Sequence, residues 1–160
     1  MIEVENAASF LQAARTGINI FTGAGWSAMA KSAMGPLPIG DVLSKELRST
    51  FGVDPNGSLD LPQLSTVIAA RDAPGLEDFL RKRFTVSEFD PSYRVLEKIA
   101  IRSIFTTNID DLFESVLGES DVHFLNDVYT RGAAASASAI DIVKLHGSVR
   151  DPNRPYIFGP

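Results

Sequence analysis

Ile18-Asn19-Ile20-Phe21-Thr22-Gly23-Ala24-Gly25-Trp26-Ser27-Ala28 is the stretch around which the rest of the chain is read. An apolar strand runs into two glycines and then into small residues, so that positions 23 to 28 spell G-x-G-x-x-A. Glycine tolerates positive φ and places no Cβ in the way of a ligand. Amide N–H groups at such a turn, and at the start of a following helix, form a positive cup for phosphate, and Ser27 offers a further hydroxyl donor. With a strand before it and a helix expected after it, this is the setting of a dinucleotide-binding turn. The same residues also serve simply to pack a helix against a sheet, and the pattern alone leaves both readings open.

Outward from this turn the pattern is α/β. Before it, Ala8, Leu11, Gln12 and Arg15 recur at helical spacing from about Glu5 to Arg15, with Asn6 as a candidate cap and Gly17 as the stop. After it, the breakers Gly35-Pro36-Leu37-Pro38 introduce a helix from Asp41 to about Phe51, ended by Gly52. A third helical pattern runs from Asp60 to Asp72. Pro74 interrupts it, and Leu76, Phe79, Leu80 and Phe84 suggest a fourth helix. Pro91 fits the first position of a fifth, carrying Val95, Leu96, Ile99 and Ala100. Only then come further strands: Ser103–Thr107, Val122–Leu125 and Ile140–Leu145, with a helix from Asp111 to Leu117 after the first of them. Gly132 to Ala139 reads as a loop or weak helix without chemistry.

A dehydrogenase-type unit returns to its second strand within about 30 residues and places an acidic ribose ligand there. Here a helical insertion over approximately 36–100 intervenes, which counts against that reading. Four strands are counted where a complete doubly wound sheet has about six. Residues 1–160 are therefore expected to be the N-terminal portion of a longer domain, completed by sequence beyond Pro160 or by a partner protein, with homo-oligomer formation as an alternative.

Composition bounds the function. A hydrophobic fraction of 44% is that of a folded domain with a core. Net charge is −5 and no basic stripe is present, which argues against direct nucleic-acid binding. The 160 residues contain no cysteine, which removes disulfides, thiolate chemistry and cysteine-ligated zinc and fits a cytoplasmic setting. No metal is expected. The acidic start Met1-Ile2-Glu3-Val4-Glu5 is unlike a signal peptide, and no apolar run approaches the roughly 20 residues of a membrane span.

Three strands end in chemistry-bearing residues: Gly23-Ala24-Gly25, Asn108-Ile109-Asp110 and His146-Gly147. In an open parallel sheet such ends share the ligand-binding edge. Together they resemble the sirtuin family of NAD-dependent enzymes. Gly23-Ala24-Gly25 with Ser27 is similar to the family's G-A-G-x-S phosphate loop. Thr107-Asn108-Ile109-Asp110 is similar to its T-Q-N-I-D motif with Thr for Gln, and Leu145-His146-Gly147 to its L-H-G segment. Gly35-Pro36-Leu37-Pro38-Ile39-Gly40 lacks the Phe-Arg pair of deacetylase sirtuins, and no cysteine of a zinc ribbon follows His146-Gly147. The run Thr106 to Glu114 resembles instead the sirtuin-like domains of prokaryotic multidomain proteins, many of which cleave NAD in anti-phage defence.

The resemblance implies NAD as substrate, held by Gly23, Ala24, Gly25, Ser27, Thr107, Asn108, Asp110 and His146. Asn108 is expected to position ribose or water, Asp110 to hold the nicotinamide carboxamide, and His146 to act as general base. It implies an NAD glycohydrolase first, with protein deacylation or ADP-ribosyl transfer, and a non-catalytic NAD or ADP-ribose sensor, as alternatives. Each residue also has a plainer reading. An Asn-x-Asp after a strand commonly caps a helix, and a histidine at a strand end is often structural. Trp26 reads as packing and His123 as structural, with Asp111 and Glu114 on a solvated helix face.

Overall fold

The computed structural model describes residues 7–118, 122–125, 140–151, 156 and 158, with the backbone alone at 13, 14 and 122–125. In chain order the elements are α1 (Ala7–Thr16), β1 (Ile18–Thr22), a 3-10 helix over Ala24–Met29, β2 (Ala30–Ser32), β3 (Gly35–Pro36), α2 (Gly40–Phe51) and α3 (Leu61–Phe84). There follow β4 (Val86–Phe89), a second 3-10 helix over Pro91–Lys98, β5 (Ile101–Thr106), α4 (Leu112–Leu117), β6 (Val122–Leu125) and β7 (Ile140–Lys144).

Four of the strands form one parallel sheet in the order β1-β5-β7-β6. Parallel strands cannot be joined by tight hairpins, so each connection must cross over the sheet. Register aligns Ile20 with Ile104 and Ile104 with Ile142, which puts these three on one face. That face packs on Leu112, Phe113 and Val116 of α4 and on Tyr93 and Leu96. The result is a Rossmann-like α/β arrangement.

A second core lies in the insertion. Leu43 and Leu47 of α2 pack with Leu64, Ile68, Leu76, Leu80 and Phe84 of α3, and Ile109 and Val149 from the sheet side join them. Asp60 starts α3 with a capping box, its side chain accepting from Gln63 N at 2.9 Å while Gln63 Oε1 accepts from Asp60 N at 3.2 Å. The break expected near Pro74 is present as a kink at Asp72 (φ −153, ψ 73). Asp72 Oδ1 caps the second segment by accepting from Gly75 N at 2.9 Å, and Pro74 falls in its first turn, where a missing N–H is tolerated.

The insertion differs from expectation in two ways. A small antiparallel sheet, β3-β2-β4, joins β4 of the insertion to β2 and β3 at its start. Strands of two to four residues are too short to leave a periodic signature. Residues 91–98 form a 3-10 helix rather than an α-helix, with Tyr93 and Leu96 buried three apart as the three-residue turn requires.

Candidate functional site

Parallel pairing brings the three chemistry-bearing strand ends side by side. The ladder continues one step past each strand: Thr107 N–H donates to Thr22 O at 3.3 Å, and Leu145 N–H donates to Thr106 O at 2.9 Å. The turns that carry Gly23, Asn108 and His146 therefore leave the sheet at one level and on one edge.

At that edge lies a cleft of about 170 Å³. Ala24, Ser27, Thr107, Asn108, Asp110 and His146 line it from the sheet side, and Leu37, Pro38, Gly40, Leu43, Leu61 and Phe84 from the insertion. Of the residues proposed from sequence, six reach the cleft. Gly23 and Gly25 sit exposed on its rim within the same loop.

Ser27 is the hub of the polar side. Asn108 Nδ2 donates to Ser27 Oγ at 2.8 Å, and Ser27 Oγ donates to Asp110 Oδ2 at 2.8 Å. All three residues are buried. The hydroxyl proton is thus committed to Asp110, and Ser27 orients two neighbours rather than presenting a free donor to phosphate. Asp110 Oδ1 accepts from Leu112 N at 3.1 Å, which ties the aspartate to the first residue of α4, while the N-cap position itself, Asp111, makes no side-chain cap bond. Asn108 N donates to Thr106 Oγ1 at 3.0 Å, which fixes the turn. Ile109, between the two polar residues, lines the cleft as well and joins the insertion core. Burying one such side chain contributes about 1.5–3 kcal/mol.

Neither glycine of the loop is demanded by its backbone conformation. Gly23 is extended (φ −135, ψ −169), and neither it nor Gly25 has positive φ, contrary to the expected turn conformation. A Cβ on Gly25 would meet nothing within 4 Å. The space beside it is open to a ligand. The following helix is a six-residue 3-10 segment whose ladder begins with Trp26 N donating to Gly23 O at 2.8 Å. Tyr93 hydroxyl donates to Trp26 O and Asp90 N to Met29 O, drawing the chain into β2 before an α-helix can form. Trp26 stacks on Phe113 at 5.7 Å, as packing. Gly147 does need its freedom: it has φ +91 immediately after His146, a region that L side chains avoid.

Behind the polar side sits a charge pair not anticipated from sequence. Lys144 Nζ lies 3.1 Å from Glu114 Oε1 with both side chains fully buried, and it also donates to the backbone carbonyl of Asp110. Glu114 and Asp111 are not a solvated face. Asp111 accepts from Val86 N at 2.7 Å and from Arg150 Nε at 3.1 Å, tying β4 to the segment after β7. The signal that was available is Lys144 itself, a cation closing the strand Ile-Asp-Ile-Val-Lys, since a lysine inside a parallel sheet requires a counter-charge. Burial pushes the carboxyls of Asp110 and Glu114 up from their ordinary values; the Lys144 ammonium opposes this for both, and the Ser27 hydroxyl and Leu112 N–H oppose it for Asp110.

The side chain of His123 and the tract 132–139 lie outside the described residues. Among the described residues no cluster of three or more His, Asp or Glu side chains is placed to hold a metal ion, and no helix is long and apolar enough to cross a membrane.

Residues 102–158 match the family model of the SIR2-like domain. The match begins within β5 and spans Asn108, Asp110, Lys144 and His146, and it supports a sirtuin-like domain. Domains of this kind use NAD. No curated protein matches the chain.

Proposed function

We propose that the chain binds NAD in this cleft and cleaves its nicotinamide–ribose bond by hydrolysis, as an NAD glycohydrolase. The observation that carries the reading is the convergence of the Gly23–Gly25 loop, Asn108 and His146 on one cleft, from three adjacent parallel strands. Breaking the bond develops oxocarbenium character at the ribose carbon, as in glycoside cleavage. Nicotinamide leaves neutral, so the protein has to hold the sugar, exclude bulk water and guide one water to the carbon.

The residues divide this work. The open space beside Gly25 admits the pyrophosphate. Asn108 keeps one N–H on Ser27, which leaves its amide oxygen and second N–H to orient a ribose hydroxyl or the water. Asp110, held on Ser27 and on the start of α4, faces the carboxamide. His146 takes the proton from the attacking water. The apolar wall of Leu37, Pro38, Leu43, Leu61 and Phe84 excludes solvent and receives a flat ring.

The missing Phe-Arg pair in residues 35–40 and the absence of cysteine favour hydrolysis over deacylation. The Thr106–Glu114 run favours a role as the NAD-cleaving effector of a cytoplasmic defence protein. The test is chromatography of NAD incubated with the protein and no acylated peptide. Equimolar ADP-ribose and nicotinamide are expected. Turnover that requires acyl-lysine and releases O-acyl-ADP-ribose would replace hydrolysis with deacylation, and saturable binding with no turnover would make the chain a sensor.

A further inference from the structure

The buried pair behind the cleft touches nothing that reacts, yet it spans the two turns on which the chemistry depends. Lys144 is the last residue of β7, two positions before His146. Its ammonium is bonded to the carbonyl of Asp110, in the turn that also carries Asn108, and is paired with Glu114 of α4 at 3.1 Å. Neither Glu114 carboxylate oxygen meets a hydrogen-bond partner of good geometry among the described residues, so the Lys144 ammonium faces this carboxylate as an ion pair. A buried ion pair of this kind is weak evidence for stability, because apolar residues of similar volume often serve as well. Its geometry has a use of another kind. Alongside the backbone bonds from Leu145 N to Thr106 O and from Val149 N to Ile109 O, both 2.9 Å, this side chain joins the His146 strand end to the Asn108–Asp110 turn.

We propose that Lys144 is a positioning residue that, through its bond to the Asp110 carbonyl, sets the Asn108–Asp110 turn against the His146 end of β7. The catalytic half of this inference rests on the NAD-cleaving reading; the structural half does not. The two are separated by using a reporter that needs no ligand. Asn108 Nδ2 donates to Ser27, and both residues are buried, so the Asn108 side-chain amide should give a dispersed, exchange-protected pair of proton resonances in a 15N-labelled chain of 17.3 kDa.

The test variant is Lys144→Met/Glu114→Gln, which removes both charges while keeping volume, and the control is Glu114→Gln, which leaves the Lys144 bond to Asp110 in place. The double variant is expected to fold cooperatively and to lose the protection of the Asn108 amide, while the control keeps it. A folded double variant with an unchanged Asn108 amide would overturn the proposal. So would a double variant that does not fold, since the pair would then be a requirement of the fold, and so would loss of protection in the control. Where the parent cleaves NAD, kcat of the double variant should fall about 10-fold or more, with KM changed less, as misplacement predicts; an unchanged kcat would overturn it. A parent that does not cleave NAD refutes the hydrolase reading, and the amide resonances still decide the positioning claim.

Discussion

The two sides of the cleft are built on opposite principles. The sheet side is polar and constrained: Ser27, Asn108 and Asp110 exchange hydrogen bonds at 2.8 Å, with a fully buried ion pair beneath them. The insertion side is apolar, made of side chains that α2, α3 and the 37–40 segment hold by packing. Arg83 stiffens this side with a two-point contact to Glu46, at 2.7 and 2.9 Å. Desolvated carboxyls make the first side a stability liability, whereas the second supplies burial. They meet at Ile109, whose neighbours belong to one side while its own side chain belongs to the other. Stability and chemistry therefore come from different residues, and substitutions should separate them.

The largest separation is expected at the polar side. Asn108→Ala and His146→Ala should each lower NAD turnover by roughly 10²-fold or more, with melting temperatures close to the parent. The double variant should be little worse than the weaker single, because groups acting on one step are non-additive. Near-parental turnover in either single variant, or loss only through unfolding, would remove that residue from the mechanism.

The reverse pattern belongs to the apolar side. Leu64 is fully buried in the insertion core, and Leu64→Ala should cost about 2–5 kcal/mol of stability. Turnover measured well below its lowered melting temperature should stay within a few-fold of the parent. Denaturant titration and turnover on one preparation decide it: a variant as stable as the parent but inactive would erase the distinction between the two sides.

A smaller and sharper effect is expected at the rim. A side chain on Gly25 meets no protein atom within 4 Å, and the backbone there is not at positive φ. Gly25→Val should thus fold normally and weaken NAD binding by about 10-fold or more, roughly 1.4 kcal/mol. Calorimetry that finds unchanged affinity would exclude Gly25 as a point of close approach.

How much of this was legible in the sequence depends on the length scale of each signal. Strands β1, β5, β6 and β7 and the helices α2 and α3 carry periodicity or apolar runs, and all were found with ends shifted by a residue or two. The motifs at strand ends were found because their residue types are unusual there. The order β1-β5-β7-β6 was not legible, since strand order depends on crossovers that leave no local trace. The 3-10 segment at 24–29 was missed because Tyr93 and Asp90, more than 60 residues away, set its course. Glu114 looked solvated because helical position alone cannot reveal a lysine arriving from β7. Long-range polar pairing is what one-dimensional patterns omit.

The subtlest test of the comparison is the pH dependence of stability. Burial raises Glu114 above its ordinary 4.5 and Asp110 above its ordinary 3.8. A carboxyl with a raised folded value binds its proton more readily in the folded chain than in the unfolded one. Its contribution is therefore fully present below the unfolded value and is lost as pH rises through the folded value. Asp78 and Asp90, exposed and lowered from 3.8 chiefly by hydrogen bonds from Lys82 and Ser92, act in the opposite sense: their contribution is present above 3.8 and disappears as pH falls below it. The two windows do not overlap, and the Glu114 contribution in particular should fall as pH rises above 4.5. Glu114→Gln carries no titrating proton at that site, and its decline should be shallower than the parent's whatever its absolute stability. Denaturation midpoints across pH 4 to 8 for both proteins supply the measurement. Parallel slopes would mean that Glu114 keeps an ordinary carboxylate in the folded chain, and that the polar side of the cleft carries less desolvation strain than its burial implies.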